Sequence, residues 1–270
     1  MTKKIIAVDL DGTLLNSESK LSDFTKETIK KISEKGHHVI ITTGRPYRMA
    51  KDFYRELELH TPMINFNGSL THLPGQAWEH EKCLTLDKKY LLDMVKRTED
   101  IQADFIAGEY RKKFYITTPN EEIADPKLFG VENFRPENQF KPERVTKDPN
   151  CILLQTRAED KYALADEMNR FYQHQLAINT WGGPLNILEC TPKGVNKAFA
   201  LEYLLNVMNR DKKDLIAFGD EHNDTEMLAF AGKGYAMKNA NPDLLPYADE
   251  QLSLTNDEDG VAHTLQDLFL

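Results

Sequence analysis

The chain lacks the features that would mark several classes of protein. It carries three cysteines in 270 residues, Cys83, Cys151 and Cys190. An odd number at such long spacings does not make a disulfide framework, and they read as reduced, buried small hydrophobes of a cytosolic protein. No apolar run approaches the roughly 18 residues of a membrane-spanning helix. The apolar N-terminal run is stopped by Asp9, too early for a signal peptide. Basic residues are in deficit, 34 Lys and Arg against 43 Asp and Glu, so the net charge is −9. That balance argues against nucleic acid as a partner, because its binding needs a basic face. It also makes the long-range field mildly hostile to an anionic substrate, so capture of one would fall to local charges. No Gly-x-Gly-x-x-Gly follows any expected strand, which sets aside dinucleotide binding. What is present, 40% hydrophobic and 29% charged residues, is ordinary for a globular protein of one or two domains with ample core. A cytoplasmic location and no membrane partner are expected.

Chemistry concentrates at four places. The apolar run Ile5-Ile6-Ala7-Val8 ends in Asp9-Leu10-Asp11-Gly12-Thr13. Residues i and i+2 of a strand project to one side, so both acids can face one site. Two crowded carboxylates need a cation between them, or one stays protonated. A plain turn is the competing reading of Asp-x-Asp-Gly. Next, Val39-Ile40-Ile41-Thr42 runs into Thr43-Gly44-Arg45-Pro46, a strand end followed by a helix start that suits anion binding, or else a simple threonine cap. Lys197 falls in the first turn of a helix marked by Val195, Ala198, Leu201, Leu204, Leu205 and Met208, where a cation opposes the macrodipole. A phosphate or carboxylate would relieve that conflict; a solvated surface lysine is the alternative, and Lys193 lies close enough to compete. Finally, Leu215-Ile216-Ala217-Phe218-Gly219 leads into Asp220-Glu221-His222-Asn223-Asp224. Asn223 or Asp224 could merely cap the helix expected over 225–231, but a cap does not explain Asp220 directly after a strand. So many oxygen donors suit Mg²⁺, whereas His222 has no second His or Cys at ligand spacing for zinc.

The four segments in this order resemble the haloacid dehalogenase-like phosphohydrolases. Asn65-Phe66-Asn67-Gly68 and Asn256-Asp257-Glu258-Asp259-Gly260-Val261-Ala262 are similar to the Cof-type subgroup, which carries a large α/β cap. Ala198 stands where that subgroup has glycine after the motif lysine, a change a helix tolerates well. The resemblance implies an aspartyl-phosphate formed on Asp9, with Asp11 as general acid and then general base. It also implies Mg²⁺ held by Asp9, the Asp11 carbonyl and Asp220, with Asp224 behind them. Thr43, the Leu10 and Gly44 N–H groups, Lys197 and Asn223 would hold the phosphoryl oxygens. Arg45 could reach substrate or fasten the cap.

Residues 1–82 read as βαβ units: a strand over Ile5–Val8, a helix capped at Ser22 with Phe24, Ile29 and Ile32 inward and Gly36 closing it, and a strand over Val39–Thr43. A helix from Pro46 to about Leu57 and a strand over Met63–Phe66 follow. Strands separated by such helices make a doubly wound parallel sheet, whose ligands bind beyond the carboxyl ends of the strands. Asp9, Thr43 and Asp220 all fall there. From 83 to 189 the order helix, strand, strand occurs twice, which predicts an inserted α+β domain with an antiparallel sheet and one face open towards the site. The α/β core would resume over 190–270. The insertion offers two candidate specificity turns, Trp181-Gly182-Gly183-Pro184 and Tyr110-Arg111-Lys112. The function expected is an Mg²⁺-dependent phosphatase for a small phosphate ester, such as a sugar phosphate, flavin mononucleotide or a ribityl-pyrimidine phosphate. A phosphomutase on the same scaffold is the alternative, and a non-catalytic phosphate sensor a distant one. Oligomeric state is not legible.

Overall fold

The computed structural model describes residues 3–182 and 185–270, and within these the chain forms two compact units. The first comprises the described residues up to Arg45 with Ala50–Lys82 and Asn196–Leu270; the second comprises Pro46–Met49 and Cys83–Val195. The expected return point at 190 falls inside a strand of the second unit.

The chain opens with β1 (Ile5–Val8), α1 (Asp23–Glu34), β2 (His38–Ile41), α2 (Tyr47–Glu56) and β3 (Met63–Asn65). Every residue of β1 is buried, as a strand covered on both faces requires. Ser22 caps α1 by accepting from the Thr25 N–H, Asp23 complements the dipole, and Gly36 leaves the helix at φ +86°. Ile29 and Ile32 are buried as expected, whereas Phe24 is only half-buried and packs against His263. β3 stops at Asn65 rather than Phe66, because Phe66 and Asn67 both turn into the left-handed region at φ 52° and 51°. The chain then doubles back in β4 (Leu70–His72) and β5 (Lys82–Cys83), giving a three-stranded sheet β3-β4-β5 that the sequence pattern does not reveal.

Next come α3 (Lys88–Lys96), β6 (Ala103–Glu109), β7 (Phe114–Ile116), β8 (Cys151–Thr156), α4 (Lys161–Phe171), β9 (Leu176–Thr180) and β10 (Ile187–Pro192). They make the expected antiparallel sheet, ordered β7-β6-β8-β10-β9. One face buries Ile106, Ile152, Leu154 and Leu188 under Leu91 and Met94 of α3 and Leu164 and Met168 of α4. The other face is not left bare as expected, since Phe105, Phe114 and Ile116 pack there with Phe129 and Ala124. Asn169 closes the free edge of β9, its amide both accepting from the Ile178 N–H and donating to the Ile178 carbonyl. Cys151 and Cys190 are buried, but Cys83 is exposed.

The first unit resumes with α5 (Lys197–Val207), β11 (Leu215–Gly219), α6 (Thr225–Phe230), β12 (Lys233–Ala236), β13 (Glu250–Gln251) and α7 (Gly260–Phe269). Its central sheet runs β13-β12-β11-β1-β2, all parallel. Register decides where the acids stand. Val8 pairs with both Phe218 and Ile41, so Asp9, Gly219 and Thr42 leave the sheet at one level along its carboxyl edge. Among the described residues no helix is long and apolar enough to cross a membrane.

Candidate active site

Asp9, Asp220 and Asp224 each present a carboxylate oxygen, and these oxygens lie within 4.8 Å of one another. The Lys197 ammonium sits among them, donating to Asp9 Oδ1 at 2.6 Å and to Asp224 Oδ1 at 2.6 Å. Lys197 is fully buried, as is Asp224, and Asp9 is 5% exposed. Lys197 is the first residue of α5, whose cap is Asn196, so the dipole conflict foreseen there is met by two carboxylates. Three carboxylates against one ammonium leave two negative charges in a poorly hydrated place. Burial pushes Asp9 up to about 7, against the pull of Lys197 and with help from Asp224 and Asp11. Burial likewise pushes Asp220 up to about 8, with Asp9 and Asp224 adding to it. An all-oxygen set with two unbalanced charges fits a hard divalent cation, and it does not suit a thiophilic one.

The local chain holds each acid. Asp224 accepts from the Asp220 N–H at 3.0 Å and the Glu221 N–H at 3.2 Å through Oδ2, so both its oxygens are engaged by the protein. Thr13 Oγ1 donates to Asp220 Oδ1 at 2.6 Å. Gly12 adopts φ +73°, and a Cβ there would lie 2.1 Å from Asp220 Oδ2. Position 12 therefore needs glycine for conformation and for space.

The second motif forms a tight loop beside β2. Thr43 is buried, its N–H donates to the Ile64 carbonyl at 3.0 Å, and its hydroxyl accepts from the Arg45 N–H at 3.1 Å. The Arg45 guanidinium forks onto Asp11, with Nε 2.7 Å from Oδ2 and Nη2 on Oδ1, and rests over the Phe53 ring. Asp11 is exposed and its carboxylate turns to Arg45; it is not one of the three clustered carboxylates. Asn67 joins the remaining pieces. Its N–H donates to the Thr43 carbonyl, its side chain stands 3.2 Å from where a Gly44 Cβ would be, and its Oδ1 accepts from Asn223 Nδ2 at 3.0 Å. Behind it, Asn65 donates to the Arg45 carbonyl at 2.9 Å and pairs with His72 Nε2 at 2.9 Å.

Asp9, Thr43, Gly44, Lys197, Asn223, Asp220 and Asp224 thus gather at the carboxyl edge of the central sheet, with Leu10 following Asp9 and accepting from the Thr13, Leu14 and Leu15 N–H groups. Lys193 instead belongs to the second unit, where it lines an open cleft with Asp166, Arg170 and His174. Sequence reasoning left Arg45 without a place and passed over Thr13 and Asn67. Both carried a signal without a role, Thr13 at the end of the Asp-Leu-Asp-Gly-Thr run and Asn67 within the Asn-Phe-Asn-Gly run. Of the two candidate specificity turns, Tyr110 is a core residue set edge-to-face against Tyr115, its hydroxyl donating to the Lys147 carbonyl. Trp181 Nε1 donates to Glu189 Oε2 at 2.9 Å, while Gly183 and Pro184 lie outside the described residues.

Known proteins resemble this chain over nearly its whole length. The chain matches the family model of the haloacid dehalogenase-like hydrolases over residues 6–265. It is 33% identical over 270 residues to the 5-amino-6-(5-phospho-D-ribitylamino)uracil phosphatase YitU of Bacillus subtilis (strain 168), covering 98% of this chain and 97% of that one. It is 28% identical over 263 residues to YcsE of the same organism, which bears the same enzyme name, covering 97% and 94%. The crystal structure of a haloacid dehalogenase-like hydrolase from Bacteroides thetaiotaomicron superposes with a TM-score of 0.83 at 25% identity, covering 99% of this chain and 100% of that one.

Proposed function

Because this chain belongs to the haloacid dehalogenase-like hydrolase family and is a phosphoric monoester hydrolase, we propose that Asp9 and Asp11 hydrolyse a small phosphorylated metabolite with Mg²⁺ as cofactor. The observation that carries the reading is the buried Asp9–Lys197–Asp224 chain beside Asp220, which leaves two charges for a divalent ion to balance. Asp9, Asp220 and the Asp11 carbonyl are the groups assigned to hold Mg²⁺. When bound, the ion neutralises phosphoryl oxygens and keeps Asp9 ionised.

In this reading Asp9 attacks phosphorus, the ester P–O bond breaks, and the phosphoryl group passes to the Asp9 carboxylate. Asp11 gives a proton to the departing oxygen and later takes one from the water that hydrolyses the acyl phosphate. Both Asp11 oxygens accept from Arg45, so proton transfer requires Asp11 to swing off that fork. Lys197 has three N–H donors and uses two on carboxylates, so the third is assigned to a phosphoryl oxygen with Thr43, the Leu10 and Gly44 N–H groups and Asn223. Asp224 serves by fixing Lys197 and the 220–221 backbone. The insertion over 83–189 is assigned to substrate selection as a cap. The names borne by YitU and YcsE support a ribityl phosphate as the substrate class. We place the activity in the cytoplasm, on a substrate that is neither nucleic acid nor membrane-bound.

The test is Mg²⁺-dependent phosphate release from 5-amino-6-(5-phospho-D-ribitylamino)uracil, flavin mononucleotide and a hexose phosphate, with Asp9→Asn alongside. The expected result is turnover fastest on the ribityl compound and abolished in the variant. A variant that keeps most of the activity would remove Asp9 as nucleophile.

A further inference from the structure

The loop after β12 carries a residue that no motif of the reading above uses. We propose that Asn239 is a positioning residue for the metal-holding carboxylate Asp220, acting through the carbonyl of Gly12. The inference rests on the proposed Mg²⁺ site and deepens it.

Asn239 Nδ2 donates to the Gly12 carbonyl at 2.7 Å, and its Oδ1 accepts from the Asn256 N–H at 3.0 Å. Asn256 in turn donates through Nδ2 to the Leu15 carbonyl at 2.9 Å. The segment around Asn239 also grips the other corner. The Met237 N–H donates to the Gly219 carbonyl at 3.0 Å, and the Asn241 N–H donates to the Asp220 carbonyl at 2.8 Å. One short loop therefore ties the turn after β1 to the turn after β11, two corners about which the chain itself says nothing, being some 200 residues apart.

The carbonyl in question belongs to the peptide joining Gly12 to Thr13. That peptide decides how closely Gly12 lies against Asp220 Oδ2 and where Thr13 Oγ1 meets Asp220 Oδ1. Gly12 is at φ +73° with no side chain to fix its neighbouring torsion, and the Thr13 N–H of that peptide reaches the Leu10 carbonyl only at 3.4 Å, so the 2.7 Å bond from Asn239 is the shorter of the two that hold the plane. If that plane turns, Thr13 leaves Asp220 and the carboxylate loses its aim. A partner hydrogen-bonded to a ligating carboxylate, as Thr13 is to Asp220, is worth about 10- to 100-fold in metal affinity, and Asn239 acts by keeping that partner in place. Asn239 is itself exposed, so removing its amide opens no core cavity.

The experiment measures Mg²⁺ binding to the substrate-free full chain by calorimetry, together with the metal-free melting temperature and kcat at saturating Mg²⁺. Asn239→Ala is expected to raise the Mg²⁺ dissociation constant about 10-fold or more, with the metal-free melting temperature and saturated kcat within error of wild type. Asn239→Asp keeps the acceptor for Asn256 but sets a carboxylate oxygen, which cannot donate and carries charge, against the Gly12 carbonyl; it is expected to weaken Mg²⁺ binding as well, and it decides the matter if the alanine variant does not fold. Unchanged Mg²⁺ binding in both, or a lowered metal-free melting temperature with Mg²⁺ binding unaltered, overturns the inference. Wild type that binds no Mg²⁺ overturns instead the function proposed above, so the two failures are distinct.

Discussion

Gly12→Ala isolates the geometry on which the site depends. The new Cβ would stand 2.1 Å from Asp220 Oδ2 and 2.7 Å from its Cγ. Carbon and oxygen do not approach much closer than about 3.3 Å, so the carboxylate must retreat by about 1 Å or the turn must open. Opening the turn is resisted by the Asn239 hydrogen bond and by the Leu10 carbonyl, which accepts from three successive N–H groups. A left-handed backbone costs an alanine roughly 1–2 kcal/mol, a drop of a few degrees in melting temperature for a chain this size. A 1 Å displacement of a catalytic group costs about 10²-fold in rate, equivalent to ~3 kcal/mol of barrier. Activity should therefore suffer more than folding. The assay pairs phosphate release at saturating Mg²⁺ with thermal unfolding of the same preparation. A variant that folds and keeps activity within about threefold would refute the claim that Asp220 needs its present position.

Lys197→Met removes the ammonium shared by Asp9 and Asp224 and strands buried carboxylates, which costs about 3–5 kcal/mol; urea unfolding at pH 8 should show a loss of that order, and an unchanged midpoint would contradict it. The metal-free protein should lose stability as pH rises from about 4 to about 8, because Asp9 at about 7 and Asp220 at about 8 hold protons that the unfolded chain, titrating near 3.8, has released. The loss assignable to Asp9 is on the order of a few kcal/mol. Mg²⁺ displaces those protons, so its effect on the melting temperature, measured against EDTA, should be larger at pH 8 than at pH 5.5. The opposite ordering would mean that these acids are not the metal's ligands.

How much of this was legible in the sequence depends on the range of the interaction. Ile5–Val8 and Leu215–Gly219 announce themselves as buried strands, and their ends place Asp9 and Asp220 at one edge once the sheet is parallel. Ser22 and Lys197 were readable because capping and helical spacing are local rules. Arg45 was not, since its fork onto Asp11 joins two loops that only the fold brings together. Thr13, Asn67 and Asn239 act through hydrogen bonds to distant segments, and a one-dimensional pattern does not show which partners those are. The β3-β4-β5 sheet was only partly legible for a different reason: β3 is expected as a strand, but β4 and β5 have three and two residues, too few for alternation to show. Tyr110 is a turn residue by sequence, and its packing back into the core of the second unit is not legible there.

The most direct measurement is a crystal structure of the chain with Mg²⁺ and beryllium fluoride, a mimic of the phosphoryl group. The account predicts one ion about 2.0–2.1 Å from a carboxylate oxygen of Asp9 and of Asp220, and the beryllium bonded to the other Asp9 oxygen with its fluorides beside Lys197. Beryllium on any other residue, or an ion that leaves either aspartate untouched, would contradict it.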